Sequence, residues 1–599
     1  DGERISLTAA PIQPAPGFEM IWRLLQADGS AAPFCGGWNN PGEVDCGPLP
    51  AWGNPYRIEI KDAGENVTGN YRLRMQTLAA PSACDQRELS CDVILSGSIE
   101  NPLDSDLLAF PVADGEWINL TVVPVLPEPG FNPAWRLLQK DGSPAPSFGG
   151  WSDSRQADCG PLPASGSPYR VQVKDWSEDA VGSYRVILQR LSFPQSCEQT
   201  PLECDVPLDG TIDDPIDSDL LTFQVSEGER IALTMVPISP APGFEPHWRL
   251  LQGDGTAAPS CWNWNGAGYI ECGPLPAWGN PYRIAIKDYG EDVAGAYRIH
   301  LQRLTASAVC EAIPLQCDVP CNGRIDDRTD TDLLRFSVAD GERISVTAVP
   351  ISPAPGFDLF WRLVQSDGSP VYPYEGWHGP GFVDQGPLPA RGNPYHIEVR
   401  DAYEDLGGDY RFTLQRLTAS QACDPVPLAC DIALDGALED RTDSDLLSFA
   451  ATEGERISVT IVPVNPLPGF DLVWRLLQSN GSPAPSGGGW NPQGFSDCGP
   501  LPSSGSPFQI QVRDSNEDVS GSYRVRFQRL AAGVACEATP LVCDVPLSET
   551  IGERTDSDLL SFAVSDGERF SLTVVPISPP PGFRSEEHTS ELQSQLTIS

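Results

Sequence analysis

The chain has 599 residues, 40% of them hydrophobic, and 39 Lys and Arg against 82 Asp and Glu give it a formal net charge of −43. That length exceeds what one hydrophobic core serves and calls for several domains. The charge argues against nucleic acid and anionic membrane surfaces as partners and favours cations and basic partners. Fifteen Trp and a regular pattern argue against disorder. No run of about 18 apolar residues is present to insert into a bilayer.

The dominant feature is internal periodicity. Trp22, Trp135, Trp248, Trp361 and Trp474 are each 113 residues apart, as are Trp38, Trp151, Trp264, Trp377 and Trp490. A domain-sized period of this kind, longer than a solenoid unit, predicts tandem domains strung like beads. In chain order, 1–83 is expected to be a β-sandwich repeat without its first strand, and 92–196, 205–309, 318–422 and 431–535 to be whole β-sandwich repeats. Residues 544–583 are the truncated start of another repeat. Within 431–535 the predicted strands are "DLLSFAA", "RISVTIVPV", "LVWRLLQ", "PFQIQVRD" and "GSYRVRFQRL", with a hairpin signal at Asn480-Gly481. Alternation of apolar and polar residues predicts strands with one buried face, and frequent Pro and Gly argue against long helices. The fold class predicted is all-β: tandem antiparallel β-sandwiches.

The order "L-x-G-x-I-x-D…D-S-D-L-L-x-F…G-E-R-I-x-L-T…G-P-L-P…Y-R-I…K-D…G-x-Y-R-x-x-L-Q-R-L", clearest over 208–304, 321–417 and 434–530, resembles the bacterial pre-peptidase C-terminal domain family. The resemblance implies a jelly-roll-like sandwich, export from a bacterial or archaeal cell, and an accessory place beside secreted peptidases. It also implies relatives that bind calcium or extracellular matrix. Residues 584–594, "RSEEHTSELQS", resemble a translated sequencing adapter, and 584–599 are expected to be an artefactual tail on a fragment of something longer.

The 17 cysteines include five C-x6-C pairs at the repeat boundaries. Zinc would want closer Cys knuckles with His help, so disulfides Cys84–Cys91, Cys197–Cys204, Cys310–Cys317, Cys423–Cys430 and Cys536–Cys543 are expected, stiffening the linkers in an oxidising compartment. Cys35–Cys46 and Cys261–Cys272 occupy equivalent positions and form a second expected set, while Cys159, Cys321 and Cys498 have no assigned partner.

Catalytic constellations are lacking. The histidines are His247, His300, His378, His396 and His588, none at a repeat-equivalent position, and no nucleophile elbow, H-E-x-x-H or P-loop occurs. The candidate metal ligands are the D-[ST]-D units Asp104/Asp106, Asp217/Asp219, Asp330/Asp332, Asp443/Asp445 and Asp556/Asp558, with calcium as the candidate cation. The competing reading makes one Asp a turn cap and the other the mark of the strand's solvent face. Trp22 and its equivalents read as buried sandwich tryptophans. The Trp38 series, and Trp52 and Trp278 in "AWGNPY" loops, read either as loop packing or as ligand contacts.

The expected function is that of a non-catalytic, secreted or cell-surface array of a bacterial exported protein, serving as a stalk, in adhesion or in binding. Extracellular polysaccharide or a matrix or surface protein is the expected partner. The alternative is an accessory array of a secreted hydrolase whose catalytic domain lies outside this span.

Overall fold

A computed structural model describes residues 1–577 apart from 13–15, 80–85, 126–129, 193, 196, 198–199, 239–241, 353–355, 374–375, 466, 532–534, 537 and 576. Cys84 and the expected tail at 584–599 lie outside the described residues.

The third repeat shows the plan. Its strands are β1 (Leu208–Ile212), β2 (Ser218–Phe223), β3 (Glu229–Pro237), β4 (Pro246–Leu251), β5 (Gly268–Leu275), β6 (Tyr282–Asp288) and β7 (Gly295–Arg303). One sheet has the order β2-β6-β4, with Thr200–Pro201 added in parallel along β2; the other has the order β1-β7-β3-β5. The remaining contacts between neighbouring strands are antiparallel. The two sheets close on a core drawn from alternate positions: Leu221 and Phe223 of β2, Ile231, Leu233 and Met235 of β3, Trp248 and Leu250 of β4, Tyr282, Ile284 and Ile286 of β6, and Tyr297, Ile299 and Leu301 of β7. Each such side chain contributes about 1.5–3 kcal/mol of apolar burial. Trp248 is fully buried, as are Trp22, Trp135, Trp361 and Trp474.

The Asp254-Gly255 turn after β4 is tied by Gln252 N–H to the Thr256 carbonyl (2.8 Å) and by Thr256 N–H to Asp254 Oδ1 (2.9 Å). Gly255 has φ +90°, and a Cβ there would lie 2.7 Å from Trp117 Cβ of the preceding repeat. The turn therefore needs glycine both for its conformation and because the neighbouring repeat sits against it.

The first repeat has sheets of three and two strands, Glu3–Ile12 with Gly42–Leu49 and Asn70–Thr77, and Met20–Leu25 with Arg57–Asp62. In the last partial repeat, Leu560–Ser561 pairs with Thr539–Pro540, and Phe562, Leu572, Val574 and Ile577 are exposed.

The disulfide expectation for the boundaries is corrected. The bonds are Cys91–Cys197, Cys204–Cys310, Cys317–Cys423 and Cys430–Cys536, each spanning 106 residues. They replace Cys84–Cys91, Cys197–Cys204, Cys310–Cys317, Cys423–Cys430 and Cys536–Cys543, and Cys543 is a free, exposed thiol. The reason is topological. β7 returns to the end of the sandwich where the repeat began, so Leu301 bridges Cys204 and Cys310 follows just beyond. Each bond thus ties a repeat's entry to its exit instead of clamping a linker. Closing a loop of that length stabilises by about 4–5 kcal/mol on the chain-entropy account, against about 2–3 kcal/mol for a short loop. Cys35 is bonded to Cys46 and Cys261 to Cys272. Cys159 and Cys498 are buried thiols and Cys321 is half-buried.

Candidate functional site at the repeat junctions

Successive repeats abut through a recurring interface. Its apolar centre joins the residue after the last strand of one repeat to two leucines of the next: Leu78 with Leu107 and Leu138, Leu191 with Leu220 and Leu251, Leu417 with Leu446 and Leu477. Beside it, the Arg of the "WR" strand in the second to fifth repeats crosses to the preceding repeat, while Arg23 of the first pairs with Glu59 of its own repeat (2.6 Å). Arg136 grips Asp45 (2.6 and 2.8 Å), Arg249 grips Asp158, Arg362 reaches Glu271, and Arg475 grips Asp384 (2.5 and 2.7 Å). A glutamine adds a further tie, Gln302 donating to the Thr331 carbonyl and Gln415 to the Ser444 carbonyl, each at 2.8 Å.

From Trp151 onward the Trp38 series belongs to this interface, whereas Trp38 itself is exposed and stacks with Arg23 and Lys61 of its own repeat. Trp151 lies between Arg136 and Lys174 (both 4.6 Å from the ring centroid), Trp264 between Arg249 and Lys287 (4.6 and 4.9 Å), and Trp377 between Arg362 and Arg400 (4.6 and 4.5 Å). Arg475 and Arg513 flank Trp490, both at 4.5 Å. Desolvated cation–π contacts of this kind are worth ~2 kcal/mol each at best. The preceding repeat supplies a matched residue: Glu43 pairs with Lys174 (2.8 Å), Gln156 accepts from Lys287 (2.5 Å), Tyr269 stacks with Arg400 (4.4 Å) and Phe382 with Arg513 (4.3 Å). By contrast Trp52 and Trp278 are 73% and 71% exposed and lie outside the core.

The two aspartates of each D-[ST]-D unit have separate duties. The second accepts a hydrogen bond from a buried tyrosine of the same repeat: Tyr184 to Asp106 (2.7 Å), Tyr297 to Asp219 (2.5 Å), Tyr410 to Asp332 (2.6 Å) and Tyr523 to Asp445 (2.7 Å). Burial pushes Asp332 up to about 7 and Asp445 up to about 6 despite the phenol. Asp558 is the corresponding residue of the last, partial repeat. The first aspartate accepts from a backbone N–H of its own turn, as Asp104 does from Glu100 (3.0 Å), Asp330 from Asp326 (2.7 Å), Asp443 from Glu439 (2.8 Å) and Asp556 from Gly552 (2.6 Å). Asp217 accepts from Ser218 N–H at 2.8 Å.

That first aspartate also faces the preceding repeat, and what it meets there differs between junctions. Arg74 binds Asp104 (2.6 Å). Arg526 pairs with both Asp431 (3.2 Å) and Asp556. At the equivalent places stand Ile187, His300 and Thr413. Asp205, His300 and Asp330 present ligand atoms all within 4.8 Å of one another. His300 is buried; burial lowers its pKa, but the Asp205 carboxylate and the Thr329 carbonyl outweigh that and leave it raised. Where Thr413 stands, Asp318 is pushed up to about 7, first by burial and then by Asp443, Asp445, Asp424 and Glu439. Where Ile187 stands, a recess of about 640 Å³ opens between the second and third repeats, lined by Asp92, Asp209, Asp213, Asp214, Asp217 and Asp219 among apolar residues. Of these, Asp214 is paired with Arg185 (2.6 Å) and Asp209 with Arg298 (2.6 Å).

The junction lysines and arginines, the histidine and the role of the Trp38 series were not singled out by sequence reasoning as a shared surface. The signal was there in the "WR" arginine, which recurs in all five repeats although an ordinary solvent-facing position does not need it.

No protein-family model matches the chain, and no curated protein matches it. Among solved structures, the chain is similar to the pre-peptidase C-terminal domain of collagenase from Bacillus anthracis. That match has 16% identity and a TM-score of 0.14 over 18% of this chain and 95% of the domain. It is also similar to the CUB1-EGF-CUB2 domain of human MASP-1/3 (12% identity, TM-score 0.10, 34% of this chain and 99% of that one). A third is the Bacteroides ovatus protein SGBP-B of a mixed-linkage glucan utilization locus, solved in complex with a mixed-linkage heptasaccharide (10% identity, TM-score 0.10, 68% and 92%). The six disulfides among the described residues fit an oxidising, extracellular setting. Among the described residues no helix is long and apolar enough to cross a membrane.

Proposed function

We propose that the chain is a non-catalytic extracellular array of a bacterial exported protein, a stiffened stalk that holds binding surfaces at fixed spacing. The observation that carries this reading is the repeat-to-repeat interface, in which a cross-junction Arg and a Trp stacked on it recur at each junction between whole repeats beside a buried apolar cluster. Flexible linkers would need none of these. In each whole repeat the second aspartate of the D-[ST]-D unit accepts from a buried tyrosine, so these carboxylates have structural partners. Exposed Trp52 and Trp278 supply the kind of flat apolar face that stacks on sugar rings or anchors a protein, and several weak contacts on one rigid chain add up by avidity.

The test is co-sedimentation of the full chain with insoluble polysaccharides and immobilised matrix proteins, alongside small-angle scattering. A binding array gives an elongated scattering profile and retention that falls for the Trp52→Ala, Trp278→Ala double variant. A compact or fully flexible profile, or hydrolysis of the polymer, would refute the reading.

A further inference from the structure

We propose that the junction between the third and fourth repeats holds one divalent transition-metal ion of the zinc class, on Asp205, His300 and Asp330. Asp205 and His300 belong to the third repeat and Asp330 to the fourth, so the ion would clip one domain to the next. This goes beyond the stalk reading and uses from it only that the two repeats abut.

The argument begins with the histidine. His300 is 2% exposed, and its Nδ1 lies 2.9 Å from the Thr329 carbonyl oxygen. A carbonyl can only accept, so Nδ1 carries a proton and Nε2 is left facing the other way. Nε2 makes no hydrogen bond; it points at Asp205 Oδ1, 3.4 Å away, with Asp330 close by. Two carboxylates converging on one buried nitrogen call for a positive charge there, either a proton on Nε2 or a metal ion bound by it. An imidazole fixed by an N–H to carbonyl bond on one nitrogen, with the other turned into a carboxylate pair, is the arrangement that metal-binding histidines adopt.

Two of the other four junctions independently place a cation here. Asp431 and Asp556 are the counterparts of Asp205 and Asp330, and Arg526, the counterpart of His300, puts its guanidinium between them. Arg74 meets Asp104 in the same way at the first junction. The imidazole cannot reach as far as the guanidinium and offers a donor atom in its place. Two carboxylates and one neutral imidazole give a set of O, O and N ligands that neutralises a dication and leaves a fourth tetrahedral position for water. Asp205 keeps 28% of its side chain exposed, which gives an ion and its water a way in. Calcium, which prefers six to eight oxygens, is a poorer match to an imidazole.

The experiment uses the full, disulfide-intact chain, alkylated at free thiols and stripped with chelator. It is titrated with ZnCl2 by calorimetry and with Co²⁺ by visible absorption. The expected result is one Zn²⁺ per chain and a Co²⁺ spectrum of low coordination number. His300→Arg and His300→Thr carry the residues already present at the equivalent positions 526 and 413. Both should lose the site. Removing an outer-shell partner alone costs ~10–100-fold in affinity, so losing a ligand should cost at least as much. Two variants guard against one misfolding, and unchanged far-ultraviolet circular dichroism confirms the fold. Equal zinc binding by wild type and both variants overturns the assignment. So does a wild type that binds none while His300 titrates identically in chelator and in zinc, because then only a proton occupies the place. A flexible scattering profile with zinc still bound at His300 would count against the stalk and not against the site.

Discussion

The cross-junction arginines invite a direct measurement, and Arg475 is the best placed. Its side chain is 5% exposed, it grips Asp384 of the preceding repeat at 2.5 and 2.7 Å, it donates to Gln511 Oε1 at 2.7 and 2.9 Å, and it stacks on Trp490 at 4.5 Å. At an effective dielectric constant of ~20 the ion pair alone is worth ~4 kcal/mol before desolvation. Desolvation of the guanidinium and the 38% exposure of the Asp384 side chain reduce that, leaving a coupling of about 1–2 kcal/mol. Arg475→Ala also forfeits the stack, so it should cost about 2–4 kcal/mol of junction stability. Asp384→Ala should cost about 1–2 kcal/mol, and the double variant less than the sum. A chain of many domains has no single unfolding free energy. The assay is therefore native-state hydrogen exchange on the full chain, following peptides that cover Leu472–Leu477 and Phe508–Asp514, with the second repeat as internal control. A coupling below about 0.5 kcal/mol, or loss of protection throughout the fifth repeat in Arg475→Ala but not in Asp384→Ala, would refute the claim that this contact holds the two repeats together.

Other outcomes follow from the same geometry. Non-reducing peptide mapping should recover Cys91 linked to Cys197 and Cys317 linked to Cys423. The Cys91→Ser, Cys197→Ser pair should destabilise the second repeat by about 4–5 kcal/mol in hydrogen exchange while leaving the fifth untouched. Tyr184→Phe removes the phenol that donates to half-buried Asp106 and should cost about 1–3 kcal/mol, read as lost protection in Ser105–Phe110. At the junction of the fourth and fifth repeats, Asp318 and Asp445 sit near 7 and 6, above the ordinary carboxylate value of 3.8. The folded junction therefore holds protons that the unfolded chain has already released. Its stability should fall as pH rises from about 4 to about 7 and level off above that. Asp424, Glu439 and Asp443 face the same space and share the repulsion, so Thr413→Arg, which copies Arg526, should flatten the fall between thermal melts at pH 5 and pH 8. A fall of the same size in the variant would show that the carboxylates are not its source.

How much of this was legible in the sequence depends on the range of the interaction. The core-facing side of the strands was legible because alternation is local: "YRVRFQRL" places Tyr523, Val525 and Phe527 inward, and they are buried. The buried Trp of each "WR" strand was legible for the same reason. The strand Tyr282–Asp288, by contrast, is buried on both faces, its Arg283, Ala285 and Lys287 included, because the preceding repeat covers it. The boundary disulfides were misread because nearness in sequence was taken for nearness in space. A seven-residue gap looked like a closed loop, but the return of the last strand beside Cys204 brings Cys310 to it and carries Cys197 to Cys91. The Trp38 series was left open because its partners come from two repeats at once, and no local pattern reports that.

The residue facing each junction Trp does, however, carry a record of the contact. Where the preceding repeat offers Glu43 or Gln156, the next repeat answers with Lys174 or Lys287; where it offers Tyr269 or Phe382, the answer is Arg400 or Arg513. An ammonium suits a carboxylate or an amide oxygen as a point charge, whereas a planar guanidinium can lie on an aromatic face. The two positions belong to different domains 131 residues apart, and they change together. Independent modules on loose linkers would have no reason to keep them matched. The matching sorts the junctions into two classes, Lys with Glu or Gln and Arg with Tyr or Phe, which disfavours pairings of repeats that would cross the classes. An array of similar repeats depends on such matching to keep neighbouring domains in register.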